Sequence, residues 1–165
     1  MQKTPQHDLD AFDLRILASC QDDIRISAEV IGEQIGLSAA AVQRRLKRMR
    51  ESGVIEAEIA RVSPAAVGLP LTCIVAVDID RETAADLDRF KTRMLARPEV
   101  QQCYYVTGVA DFILTVLSTD MQAYEAFTRA HLLADANVRS FTTHVVMERV
   151  KVGVGVPLNG GARTP

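Results

Sequence analysis

The sequence predicts an α+β protein in two parts: an N-terminal winged helix-turn-helix followed by a βαββαβ ferredoxin-like sandwich. Three observations lead there. Apolar residues recur at helical spacing up to Gly53, whereas after Pro70 short β-branched runs take over and alternate with helical ones. Two short helical patterns, residues 27–35 and 38–52, meet at a Gly36-Leu37 corner. Beyond residue 71, four strand-like runs and two helical ones follow in the order β, α, β, β, α, β.

Residues 1–8 are polar, and Asp10 then caps a first helix that ends near Asp22 and Asp23. Asp13 places a second carboxylate near the positive end of the helix dipole, and Leu14, Ile16, Leu17 and Cys20, followed by Ile24, supply the buried side. Ser27 caps a second helix running to about Ile35, with Val30, Ile31 and Ile35 as its apolar side. Ser38 caps the third. There Val42, Leu46 and Met49 share one face, while Ala40, Gln43, Arg44, Lys47 and Arg48 point the other way, and Gly53 supplies the stop. From Arg44 to Arg50 this helix carries five Lys or Arg and no acid, a local positive field suited to a polyanion. A solvated face accounts for such a run taken alone. The slim turn Ala39-Ala40-Ala41 and the preceding helix and corner favour a helix presented to the major groove of double-stranded DNA. The run IEAEIARV, residues 55–62, alternates enough for a strand or wing, and the domain boundary falls between Pro64 and Pro70.

In the second part, LTCIVAVDI is a strand, and Thr83 with Asp86 opens a helix whose Leu87, Phe90 and Met94 face inward until Pro98 ends it. Strands over residues 100–107 and 111–117 follow, joined at Gly108, and Asp120 caps a helix with Tyr124 and Phe127 inward. A last strand spans residues 138–150. Helices cover one sheet face only, yet CIVAV, FILTVL and THVVM carry apolar or bulky groups on both, so a second copy of the sheet is the simplest cover. The organisation expected is 1–62, a linker at 63–70, 71–151, and a flexible Gly- and Pro-rich tail at 152–165.

Composition excludes several classes. Apolar residues make up 48% and charged residues 24%, and no apolar run reaches the roughly 18 residues of a membrane span, so a soluble, cytoplasmic protein is expected. The net charge of −2 speaks against coating nucleic acid by bulk electrostatics, which leaves a local patch. Cys20, Cys73 and Cys103 are odd in number and set in apolar patterns, and His7, His131 and His144 show no ligand spacing with them, so neither disulfide nor metal is expected. No nucleophile with a base and no paired carboxylates suggest catalysis.

The segments LDAFDLRIL, ISAEVIGEQIGLSAAAVQRRLKRMRESGVI, PAAVGL, PEVQQCYYVTGVADFIL and VVMERVK, in this order and spacing, resemble the Lrp/AsnC (leucine-responsive, feast/famine) family of transcription regulators. The resemblance spans about residues 9–151. It implies DNA binding by the first domain, and dimerisation, assembly into octamer-like discs and sensing of a small effector, usually an amino acid, by the second. On that reading Ser38, Ala40, Ala41, Gln43, Arg44, Arg45, Lys47 and Arg48 form the DNA face of a nucleoid-associated regulator, although Arg45 lies close to the buried side.

The effector site implied by the resemblance lies at the turn between the second and third strands of the sandwich, where an open Gly-containing turn offers N–H donors to a carboxylate and Asp111 offers a partner to an ammonium. Its residues are Tyr105, Thr107, Gly108, Val109, Ala110, Asp111, Met121, Thr143 and His144, with Tyr104 adjacent; ordinary turn chemistry and packing account for several of these equally well. Two departures make the site less polar than in many relatives: Val109 stands where a second acid is common and Phe141 where Thr is. Both favour an apolar or aromatic amino acid, or a divergent ligand. The competing reading is an architectural DNA-binding protein without an effector.

Overall fold

The computed structural model describes residues 8–153 and 155–158; expectations for residues 1–7 and for 154 and 159–165 of the tail fall outside them. Contacts divide the chain into two compact units, one of residues up to Ala60 together with those from Val152 on, the other Arg61–Lys151.

The first unit holds α1 (Ala11–Asp22), α2 (Ala28–Ile35) and α3 (Ala39–Glu51). Each helix begins where its sequence offers a cap. Asp10 and Asp13 form a reciprocal capping box, each carboxylate accepting the other's N–H, while Ser27 accepts from Val30 and Ser38 from Ala41. Ile16, Ile31, Ile35, Val42, Leu46 and Met49 make the core, and Leu17, Cys20, Leu37, Val54 and Ile55 pack around it.

Three expected core residues stand outside it: Leu14 is only half-buried, Ile24 is 48% exposed and Val30 43%. Ile24 follows the end of α1, where the helical period no longer applies, and Val30 lies a full 100° around α2 from Ile31. Two residues that the apolar pattern did not mark, Gly32 and Asp13, are buried in this unit. The wing expected over residues 55–62 forms no strand. A strand needs a neighbour for its N–H and C=O groups, and among the described residues none pairs with this stretch. It is instead tied to α3 by Ile55 N–H donating to Met49 O (3.0 Å) and by Arg50 donating twice to Glu58 Oε1 (2.9 and 2.7 Å).

The second unit is a four-stranded antiparallel sheet in the order β2-β3-β1-β4, built from β1 (Leu71–Ile79), β2 (Val100–Tyr105), β3 (Phe112–Ser118) and β4 (Val138–Val145). The helices α4 (Ala84–Leu95) and α5 (Met121–Thr128), the latter continued by a π-turn at Arg129–Leu133, complete the βαββαβ order. Cys73, Val75, Val77 and Ile79 of β1 and Phe112, Leu114 and Val116 of β3 face Phe90, Met94, Tyr124, Phe127 and Leu132 in one core. The period of two sends Thr72, Ile74 and Ala76, with Ile113 and Thr115, to the opposite face.

The last strand ends earlier than residue 150 for a geometric reason. Val145 pairs with Cys73, Val146 donates to Thr72 O (2.9 Å), and β1 begins only one residue before, at Leu71, so no partner remains for residues 147–150. The β2–β3 hairpin likewise closes inside its expected strand ends, with Val106 N–H donating to Asp111 O (2.9 Å). In the tail, Val156 differs from the expected loose drape. Its N–H donates to Gln21 Oε1 (2.6 Å) and its carbonyl accepts from Gln21 Nε2 (3.3 Å), a two-point attachment to α1. No helix among the described residues is long and apolar enough to cross a membrane.

Candidate nucleic-acid interface and effector site

The first candidate surface is the outward side of α3. Ala40, Gln43, Arg44, Lys47 and Arg48 are on it, while Val42, Leu46 and Met49 are buried beneath. Ser38 is occupied as the cap, and Ala41 is half-buried in the first turn. The five cations of the helix are not equivalent. Arg45 turns inward: its Nη1 donates to Asp10 Oδ2 (2.7 Å) and Asp13 Oδ1 (2.9 Å), its side chain is only 21% exposed, and its guanidinium lies over Phe12, the central carbon 5.6 Å from the ring centroid. Hydrogen bonds donated to Asp13 and then to Asp10 raise its pKa above the ordinary value, while the Asp13 N–H, and next Arg45, hold the Asp10 carboxyl below the usual carboxylate range. Arg48 donates Nη2 to Asp13 Oδ2 (2.5 Å) yet keeps 55% of its side chain exposed. Lys47 has only a loose, exposed partner in Glu51 at 3.8 Å, an arrangement that contributes little. Arg44, also exposed, and Lys47 therefore carry the outward charge, with Arg48 anchored on one edge.

The second candidate is an open cavity of about 500 Å³ lined by Ala76, Val106, Thr107, Val109, Ala110, Ile113, Thr142 and His144. It sits on the sheet face that the helices leave bare, beside the β2–β3 turn. Gly108 adopts φ +133° there, a region closed to most other residues, and Val109 at the tip is fully exposed. Of the residues expected from sequence, Thr107, Val109, Ala110 and His144 come together around this cavity and Gly108 shapes its rim.

Four others lie elsewhere. Thr143 pairs with Val75 and points to the helices, its hydroxyl 2.5 Å from the Tyr124 hydroxyl; burial raises the Tyr124 pKa, against the effect of that bond. Tyr105 packs on Phe112, centroids 5.1 Å apart, beneath Lys91, and Met121 opens α5. Asp111 is engaged: its carboxylate accepts Ile79 N–H at 2.7 Å, where the β1–β4 register shifts, and its own N–H donates to Val77 O. Its task here is to hold the irregular end of β1. Phe141 pairs with Val77 and packs on the helix-side core, so of the two less polar positions only Val109 lines the cavity. Alternation explains the division, since successive residues of β4 face opposite ways. Sequence reading placed Val106 in the turn but did not single out Ala76, Ile113 and Thr142. The signal for them was present in the same alternation, once the register of β1 against β4 was known.

Family comparisons match both units. The model of the AsnC-type helix-turn-helix domain matches residues 9–50, and that of the Lrp/AsnC ligand binding domain matches residues 72–156. The chain belongs to the Lrp/AsnC family. Among its relatives, an uncharacterized HTH-type transcriptional regulator of Sinorhizobium fredii is 47% identical over 92% of this chain and 89% of that protein. The leucine-responsive regulatory protein of Escherichia coli is 32% identical over 91% and 92%. A transcriptional regulator from Neisseria meningitidis, solved in complex with L-Met, superposes with TM-score 0.85 at 30% identity, over 92% of this chain and 97% of that one. This Lrp/AsnC protein is thus a DNA-binding, HTH-type transcriptional regulator with a ligand-binding domain, in a family of regulators and not of enzymes.

Proposed function

We propose that this regulator binds operator DNA through Gln43, Arg44, Lys47 and the free edge of Arg48, and that an uncharged, apolar amino acid held at the β2–β3 turn of a self-associated sheet domain controls that binding. The observation that carries the reading is the position of the cavity. It opens on the bare sheet face, so a second copy covering that face converts an open, mostly apolar dish into an enclosed site of the size and character that small ligands occupy. Its lining offers Thr107, Thr142 and His144 as polar groups and no carboxylate or cation to match a charged side chain. The exposed N–H groups of the Gly108 turn are suited to the ligand's carboxylate. The L-Met complex of the Neisseria meningitidis relative is consistent with an apolar effector.

Self-association as homodimers and higher oligomers, a DNA-binding domain at 1–62 separated by a linker at 63–70 from an effector domain at 71–151, and a cytoplasmic, nucleoid-associated location belong to the same proposal. An architectural protein without effector is disfavoured by the inward pairing of Arg45, which removes one cation of the helix from indiscriminate phosphate binding. A thermal-shift screen of the twenty amino acids on the purified protein tests the reading: apolar ones raise the melting temperature, since a ligand that binds only the folded form stabilises it, and acidic and basic ones do not. A flat response across all twenty removes the effector.

The DNA face has its own prediction. Arg44→Ala and Lys47→Ala each lower operator affinity about tenfold or more, since good base or phosphate contacts contribute about 1–3 kcal/mol, while oligomer size is unchanged. Mobility-shift titration alongside size-exclusion chromatography measures both, and unaltered affinity would remove this face from the account.

A further inference from the structure

Among the described residues of the first unit Asp13 is the most deeply buried charge, with none of its side chain exposed. A buried carboxylate is costly unless it is paired and hydrogen-bonded, and this one is fully engaged. Oδ1 accepts from Arg45, and Oδ2 accepts from Arg48 and from the Asp10 N–H. Asp10 adds a second acceptor for Arg45 from the solvent side. Two carboxylates at the start of α1 thus meet two guanidinium groups at the middle of α3, and the four charges cancel.

We propose that Asp13 is a positioning residue for DNA binding: it draws Arg45 out of the DNA face and fixes Arg48 by one edge, so that the other edge is presented outward in a set orientation. The inference rests on α3 being the DNA-contacting helix. Geometry gives it force. Arg48 stands four positions beyond Arg44 on the same helix, so anchoring its guanidinium sets one fixed cation beside the freer side chains of Arg44 and Lys47. An arginine held by a carboxylate on one side still has N–H donors free for phosphate or a guanine edge on the other. Without Asp13 the same helix would carry a looser and more positive surface, which binds any duplex better and discriminates less.

The test uses the full chain and two duplexes, one selected by the wild-type protein from a random-sequence library and one scrambled. Asp13→Asn keeps the shape and removes the charge. Its affinity for the selected duplex is expected to fall about tenfold, while affinity for the scrambled duplex holds or rises with a salt slope steeper by about one, the signature of one further phosphate neutralised. Loss of folding stability alone would weaken both duplexes in parallel with an unchanged slope, and that result overturns the proposal. Arg48→Gln leaves the Asp13–Arg45 pair in place and decides the matter if Asp13→Asn fails to fold. It is expected to lower selected-duplex affinity about tenfold and to flatten the salt slope by about one; unchanged affinity overturns the proposal. Weakening by Arg44→Ala and Lys47→Ala with no effect of either Asp13→Asn or Arg48→Gln would leave α3 as the DNA helix and reject the role of Asp13 alone.

Discussion

Gly32→Ala is expected to abolish operator binding while the sheet domain stays folded. Helix propensity argues the opposite sign, because alanine inside a helix is favoured over glycine by about 1 kcal/mol. Packing decides against it. A Cβ on Gly32 would stand 2.3 Å from the Leu37 carbonyl oxygen and 3.5 Å from the Ala39 nitrogen, both backbone atoms of the corner that carries α2 into α3. No rotamer change relieves a clash with backbone. The Gly32 carbonyl also accepts the N–H groups of Gly36 and Leu37 (2.8 and 2.9 Å), so moving the corner breaks the bonds that end α2. Overpacking of this kind costs about 1–3 kcal/mol, and the lost hydrogen bonds add to it. A loss of about 3 kcal/mol in a unit of roughly sixty residues consumes much of its stability. Two melting transitions measured by circular dichroism, the first shifted down or absent and the second unchanged, together with DNA affinity lowered at least a hundredfold, are the expected result. A variant as stable as the parent would show that the corner yields.

The second large effect concerns self-association. Ile74 lies in the central strand β1 on the bare face, level with Thr115 of β3 and His144 of β4. Ile74→Lys costs little in a single copy, because the long side chain carries its ammonium to water. When a second copy covers that face, a charge is buried without a partner at about 3–5 kcal/mol, and two-fold symmetry doubles the insult. Dimer dissociation should therefore strengthen by about three orders of magnitude or more, giving a monomer of unchanged melting temperature at low concentration in sedimentation velocity. On the proposed dimeric reading, operator affinity falls with it, since one recognition helix would bind in place of two. A dimer undiminished by this substitution would place self-association on another surface.

Most of the framework was readable in the sequence because it is set by local rules. Ser27, Ser38, Thr83 and Asp120 cap the helices they were expected to cap, and the period of two in CIVAV and FILTV separates the two sheet faces correctly. What escaped depends on partners distant in the chain. The roles of Asp13 and Gly32 follow from α1 and α2 meeting α3, and periodicity gives no sign of a buried carboxylate; an isolated glycine inside the helical pattern was the available clue. At the candidate effector site, Thr107, Val109, Ala110 and His144 lie around one cavity, but Thr143 and Tyr105 fall on the far face, a distinction fixed by register. Asp111 resembled a ligand carboxylate and is instead the acceptor for Ile79 N–H, a contact between residues 32 apart.

The proposed effector site is completed by self-association, and one titration tests it. Calorimetry of the apolar amino acid that gives the largest thermal shift, injected into the wild-type protein and into Ile74→Lys, is predicted to show saturable heat with the former and none with the monomer. Equal binding by the two would place the whole effector site within one copy, and absence of heat with the wild type would leave the cavity at the Gly108 turn without a ligand.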